Sequence, residues 1–146
     1  MKFKRRQTIE NNLTPGRALV IYGPRRIGKT TLLKRYLATQ TGKKIFYSTG
    51  DDIALREVFR SQSLTKIIDF ARPYDIIALD EAQYIPFIGQ GAKMMIDAFG
   101  EKNIILTGSS SLSIAGEIGE PLTGRHFSML LLPLALAEMD ASQFEL

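Results

Sequence analysis

The chain has 146 residues and a formal net charge of +4, and 45% of its residues are apolar. This size and composition are typical of one globular domain with a single substantial core. There is no cysteine and only one histidine, His126, which excludes disulfides and metal sites built from cysteine or several histidines. No apolar run approaches the roughly 20 residues of a membrane-spanning helix, and no apolar segment follows the basic start as a secretion signal requires. We therefore expect a cytoplasmic protein without a membrane partner.

The start of the chain is basic, since four of residues 2–6 are Lys or Arg. We interpret residues 1–16 as a basic N-terminal lead segment and residues 17–146 as one domain. A basic cluster can contact nucleic acid, but a short one is more often a solvated terminus. Both interpretations remain open at this stage.

Five short apolar runs then alternate with longer segments. They cover residues 18–22, 44–47, 75–79, 103–107 and 127–132. Runs this short, and apolar on both faces, are typical of buried strands in a parallel sheet.

Between the strands, apolar residues recur at helical spacing. This spacing predicts helices over about 30–39, 53–71 and 88–99. Alternating strands and helices indicate an α/β fold, with a parallel sheet that has helices on both faces. Ligands of such sheets bind at the carboxyl ends of the strands, so we expect the chemically active residues directly after the apolar runs.

The first strand is followed by a complete Walker A motif, Gly-x-x-x-x-Gly-Lys-Thr, which opens a helix. Its backbone N–H groups and the helix N-terminus attract phosphate, while Lys29 neutralises the β- and γ-phosphates and Thr30 is placed to bind Mg²⁺. The predicted nucleotide-binding residues are Gly23, Pro24, Arg25, Arg26, Ile27, Gly28, Lys29, Thr30 and Thr31. For Arg25 and Arg26 at the loop tip two interpretations remain open: a contact with phosphate or a partner, and a side chain that faces solvent. The motif predicts a nucleoside triphosphate as ligand, and we expect ATP with Mg²⁺.

The third strand ends in two acids, Asp80 and Glu81, which is the Walker B pattern. With Thr30, Asp80 is the predicted metal ligand. Glu81 is the predicted catalytic acid that orients and polarises the attacking water, since phosphoryl transfer to water depends on positioning and charge neutralisation.

The fourth strand also ends in polar residues. We expect Thr107 or Ser109 to lie between the two Walker segments and to contact the γ-phosphate or the water. Alternatively, serines of the 109–111 segment cap a helix.

Together these motifs resemble the AAA-type prokaryotic P-loop ATPases of the AAA_14 family. The resemblance rests on Gly-Pro-Arg-Arg-Ile-Gly-Lys-Thr-Thr-Leu-Leu-Lys at 23–34, Leu-Asp-Glu-Ala-Gln at 79–83, Leu-Thr-Gly-Ser-Ser-Ser-Leu at 106–112, Leu-Thr-Gly-Arg at 122–125 and Leu-Leu-Pro-Leu at 131–134. It extends over about residues 17–139, which is nearly the whole chain.

The resemblance implies a three-layer P-loop NTPase fold, in which helices flank a parallel five-stranded sheet of order 5-1-4-3-2. It also implies ATPase activity, with Lys29 and Arg125 among the groups that act on the phosphates. Arg125 would reach the γ-phosphate in its own subunit or across a subunit interface, and a structural ion pair is the alternative. Family members usually continue into a C-terminal region, whereas the sequence here ends at Leu146, so we expect the ATPase core alone.

The favoured function is binding and Mg-dependent hydrolysis of ATP, which drives or gates a partner or a C-terminal domain. The alternative is a nucleotide-dependent binding module, for a protein or DNA partner, with little turnover of its own. Self-association is expected if Arg125 acts across an interface. A GTPase is disfavoured because no Asn-Lys-x-Asp motif is present, and a small-molecule kinase because no arginine-rich insertion lies between Asp80 and Arg125.

Overall fold

Strands and helices alternate along the chain, as the sequence predicts. The computed structural model describes residues 9–14, 16–23, 28–109 and 127–131. In chain order the elements are α1 (Ile9–Asn12), β1 (Ala18–Tyr22), α2 (Lys29–Ala38), β2 (Ile45–Thr49), α3 (Ile53–Arg60), α4 (Leu64–Ala71), β3 (Ile76–Asp80), a 3₁₀ turn (Ala82–Tyr84), α5 (Ile88–Ala98), β4 (Asn103–Gly108) and β5 (Phe127–Leu131). Within these residues no helix combines the length and apolar character needed to cross a membrane.

The five strands form one parallel sheet in the order β2-β3-β4-β1-β5. This is the 5-1-4-3-2 order that the family resemblance implies, so the expected fold is confirmed. The register brings the carboxyl ends of the strands together, with Tyr22 opposite Gly108 and Thr49 opposite Asp80. Because β4 lies between β1 and β3, its carboxyl end separates the Walker A and Walker B segments.

Side chains from alternate strand positions enter two cores, one on each face of the sheet. On one face, Val20 and Leu79 pack with residues of α3, α4 and α5. On the other face, Leu19 and Ile21 pack with residues of α2 and with Ile9 of α1, which is 1% exposed. The fold therefore has three layers, and part of the lead segment belongs to one of them.

The single helix predicted over residues 53–71 is wrong, because two helices occupy this segment. Gln62 has a positive φ of 53°, a left-handed conformation through which a right-handed helix cannot continue. The Ser63 hydroxyl then accepts the backbone N–H of Lys66 at 3.2 Å and caps α4. A serine N-cap of this kind is a recognised start signal, which the apolar spacing alone does not show.

The other predicted boundaries lie within two residues of those observed. Helix α5 begins at Ile88, although two glycines lie in its first half. One of them, Gly91, is where the helix packs directly against the ring of Phe59 in α3. This contact fixes the distance between two helices on the same face of the sheet.

We expect Gly91→Ala to destabilise the protein. The new Cβ would overlap the ring of Phe59, which is fully buried. Overpacking of this kind costs about 1–3 kcal/mol, while the gain in helix propensity is about 1 kcal/mol. The midpoint of urea unfolding should therefore fall.

Gly100→Ala is the matched control, because a Cβ at Gly100 meets nothing within 4 Å. In a Phe59→Leu background the cost of Gly91→Ala should shrink, because the smaller side chain leaves room for the methyl group. An equal cost in both backgrounds would contradict the packing explanation.

Candidate functional site

The carboxylate of Asp80 is the meeting point of three segments. Its Oδ2 accepts hydrogen bonds from the hydroxyls of Thr30 at 2.7 Å and Tyr47 at 2.9 Å, and its Oδ1 accepts one from Thr107. Asp80 is 2% exposed, and burial of a charge is costly unless hydrogen bonds compensate it. Three hydroxyl donors supply that compensation and join α2, β2 and β4 to the end of β3.

The described part of the Walker A segment leads directly into α2, with Gly28 at its N-cap. Gly28 has a φ of 99°, which lies in the left-handed region that glycine adopts without strain. Its carbonyl accepts the backbone N–H of Leu32 at 2.7 Å, so the helix begins at once. Gly23 is tied to the fourth strand by a bond from its N–H to the carbonyl of Gly108 at 3.2 Å. The predicted ligand residues Pro24, Arg25, Arg26 and Ile27 lie outside the described residues.

Lys29 and Glu81 face one cleft. Lys29 is 3% exposed, and its Nζ lies 3.6 Å from Oε2 of Glu81. A cleft of about 180 Å³ is lined by Gly28, Lys29, Thr30, Thr31 and Glu81. The predicted lysine, hydroxyl and acid are thus brought together at the N-terminus of α2, where the helix dipole favours an anion.

The end of β4 supports the Walker B segment. The Thr107 hydroxyl donates to Asp80 and accepts the backbone N–H of Glu81 at 3.0 Å. Ser109 accepts a hydrogen bond from the amide Nε2 of Gln83 at 3.0 Å. Both predicted residues therefore lie between the Walker segments. Arg125 and the serines at 110–111 are outside the described residues.

The oxygen atoms near Thr30 and Asp80 suit a magnesium ion. A carboxylate and a hydroxyl are hard oxygen ligands, and Mg²⁺ is commonly held by one or two carboxylates together with substrate phosphates. Across the described ranges, no group of three His, Cys, Asp or Glu residues forms an all-protein metal site. The donor set therefore fits a metal ion that is bound jointly with a phosphate ligand.

Two residues that the sequence analysis does not single out complete the site. Tyr47 of β2 donates to Asp80, and burial together with this hydrogen bond raises the pKa of its phenol, which keeps it a donor. Gly50 follows β2 and donates its N–H to the carbonyl of Asp80 at 2.8 Å. A Cβ on Gly50 would overlap the carbonyl oxygen of Glu81, so only glycine allows this approach. In the sequence, the only feature that points to Tyr47 and Gly50 is their position near the end of an apolar run.

This arrangement at the carboxyl ends of a sheet of order 5-1-4-3-2 defines a P-loop NTPase domain. Sequence comparison identifies the family. The model of the AAA_14 family, described as an AAA domain, matches residues 15–140, and the chain belongs to that family.

The fold is similar to that of bacterial replication initiators. One solved structure, described as the replication initiator DnaA bound to AMPPCP and single-stranded DNA, has a TM-score of 0.58 and 20% identity, with 99% of this chain and 50% of that chain covered. The structure of AMPPCP-bound DnaA from Aquifex aeolicus has a TM-score of 0.55 and 21% identity, and the match covers 99% of this chain and 49% of that chain. Domain III of the replication initiation protein DnaA from Thermotoga maritima has a TM-score of 0.53 and 19% identity, and the match covers 88% of this chain and 64% of that chain. The chain thus spans about half the length of the first two structures. A comparison with curated proteins gives no match.

We expect Thr107→Val to destabilise the protein without changing its shape. The substitution removes one donor to Asp80 and leaves the N–H of Glu81 without its acceptor. An unsatisfied buried polar group costs about 1–3 kcal/mol, which thermal unfolding without nucleotide or metal should show. Thr65→Val, at an exposed position of α4, is the control. Equal stability of the two variants would show that the hydroxyl of Thr107 contributes nothing.

Proposed function

We propose that the chain binds ATP with Mg²⁺ and hydrolyses it at the carboxyl end of the sheet. The observation that supports this most is the placement of Lys29 and Glu81 across one cleft, 3.6 Å apart, beside the hydrogen-bonded pair of Thr30 and Asp80. One ligand in this cleft could therefore contact the cation Lys29, the proposed metal-binding pair and the second carboxylate, Glu81. We propose adenine rather than guanine as the base of the nucleotide because the chain belongs to the AAA_14 family.

The phosphates would bind at the N-terminus of α2. The N–H groups of its first turn have no intrahelical acceptor, and the left-handed Gly28 opens the turn without a Cβ. Lys29 lies in the same cleft with almost no solvent exposure, and a buried cation attracts phosphate more strongly than one screened by water. Arg25 and Arg26 are further proposed phosphate contacts, on the sequence motif alone.

Thr30 and Asp80 would hold the metal ion, whose role is to neutralise charge on the phosphate oxygens. The hydroxyls of Tyr47 and Thr107 keep the Asp80 carboxylate in place. Hydrogen bonds within the protein therefore support the positions of the proposed metal ligands.

Glu81 is the proposed catalytic residue, and its carboxylate would act as a base. Its Oε2 now faces Lys29, and a triphosphate in the cleft would attract the lysine and release that oxygen. Oε2 can then accept a hydrogen bond from the attacking water and polarise it. Thr107 supports this role through the backbone of Glu81, while Ser109 and Arg125 are proposed contacts to the γ-phosphate.

A second candidate is a nucleotide-dependent binding module with little turnover on its own. The observation that favours it is that both carboxylate oxygens of Glu81 have partners, Lys29 on Oε2 and Gln83 on Oε1. In that case ATP would order a surface for a protein or DNA partner, or for a second copy that supplies Arg125. A similar solved structure is described as bound to single-stranded DNA, which makes DNA one partner to test.

Lys29→Ala should weaken the binding of a non-hydrolysable ATP analogue with Mg²⁺. A hydrogen bond to a charged group is worth about 1.5–3 kcal/mol, so the dissociation constant should rise about 10- to 100-fold, as measured by calorimetry. Lys66→Ala, at an exposed position of α4, should bind like the wild type. Unchanged affinity of the Lys29 variant would remove the basis for the binding site.

Glu81→Gln should keep nucleotide affinity and lose hydrolysis. Loss of a positioned acid–base group lowers turnover about 10²- to 10⁴-fold, which a phosphate-release assay measures. Glu57→Gln, on the exposed side of α3, is the control. Turnover that persists in the Glu81 variant contradicts the assigned role, and a wild-type chain that binds ATP without turnover supports the binding module instead.

A further inference from the structure

Gln83 closes the Leu-Asp-Glu-Ala-Gln segment, and the proposed hydrolysis gives it no role so far. Its amide Nε2 donates to Oε1 of Glu81 at 2.7 Å and to the hydroxyl oxygen of Ser109 at 3.0 Å. One amide group thus connects the proposed catalytic acid to the end of β4. Its other atom, Oε1, is buried and has no hydrogen-bond partner within the described residues.

The backbone after β3 makes this contact possible. Glu81 has a φ of 53° and a ψ of 50°, which reverses the chain, and the 3₁₀ turn of residues 82–84 follows directly. The N–H of Tyr84 closes the turn on the carbonyl of Glu81 at 3.2 Å. The side chain of Gln83 therefore folds back beside the side chain of Glu81, two residues earlier.

The orientation of the amide follows from the charges around it. Only its NH₂ group can donate to a carboxylate, whereas the carbonyl oxygen would be repelled by it. Because Ser109 accepts from the same NH₂ group, the hydroxyl hydrogen of Ser109 is left to donate elsewhere. The network therefore leaves a hydroxyl donor at the end of β4.

The two oxygens of Glu81 have partners of different kinds. Lys29 lies 3.6 Å from Oε2 and is a ligand for phosphate, so it would leave Oε2 when a nucleotide binds. Gln83 is neutral and is fixed by two hydrogen bonds, so it has no comparable reason to leave Oε1. Nucleotide binding would free one oxygen and leave the other held.

We propose that Gln83 is a positioning residue for hydrolysis, whose amide holds Oε1 of Glu81 so that Oε2 is aimed at the attacking water. This inference rests on the proposed ATPase function of Glu81. Gln83 itself touches no substrate, and it acts by fixing the direction of the carboxylate. A small misplacement of a catalytic group is sufficient to cost about 10²-fold in rate.

The test is a steady-state ATPase assay of Gln83→Leu, which removes the amide at similar size. Turnover should fall about 10- to 100-fold, while KM for ATP and the dissociation constant of a non-hydrolysable analogue stay within about twofold, since phosphate affinity comes from other groups. Gln90→Leu is the matched control, because Gln90 is exposed on α5. Gln83→Met is the second variant, and thermal unfolding of each variant shows whether it is folded at the assay temperature.

A double-mutant comparison separates positioning from a general structural effect. In a Glu81→Gln background, Gln83→Leu should change the residual turnover less than about twofold, because residues that act as one unit are not additive. If Gln83 had only a structural role, Gln83→Leu would lower turnover by the same factor in the wild-type and the Glu81→Gln backgrounds. Wild-type turnover in folded Gln83→Leu or Gln83→Met, or an equal loss in both backgrounds, overturns the inference while the ATPase proposal stands. Wild-type protein without turnover, or turnover that survives Glu81→Gln, overturns both.

Discussion

The geometry of the site depends on the carboxylate of Asp80. It lies at the end of β3 and accepts hydrogen bonds from hydroxyl groups of α2, β2 and β4, so its position determines how the Walker A helix lies relative to the two strands next to β3. Because the carboxylate is buried, each lost donor leaves a polar atom without compensation. The same interactions that stabilise the fold therefore hold the proposed metal-binding pair together.

Glu81 lies one residue further on and is held in a different way. Its backbone N–H is bound by Thr107, while its carboxylate lies between a cation that belongs to the phosphate site and a neutral amide that does not. Asp80 has hydrogen-bond partners on both oxygens, whereas one of the two partners of Glu81, Lys29, would leave it in the proposed function. This difference matches the two proposed roles, since a metal ligand must keep its place and a group that polarises water must become available.

The residues of the site that belong to short continuous sequence motifs could be predicted from the sequence. Lys29, Thr30, Asp80 and Glu81 each follow an apolar run, and parallel pairing brings the ends of these runs to one edge. The contact of Tyr47 with Asp80 could not be predicted in this way, because it depends on the register of β2 against β3. The polar end of β2 was also missed, since a half-exposed strand accepts polar residues such as Ser48 and the apolar run ends before them. The break between α3 and α4 is set by a cap and one left-handed residue, which apolar spacing does not detect.

Gly50 connects the outer strand directly to the backbone of Glu81, the proposed catalytic residue. Strand β2 stands at one end of the sheet and its five residues are all partly exposed. Directly after it, the backbone of Gly50 rests on the carbonyl group of Glu81 with no side chain between them. Backbone contacts of this kind are stiff, because no side-chain rotation can absorb a displacement. A displacement of this edge strand would therefore be passed through the backbone to Glu81.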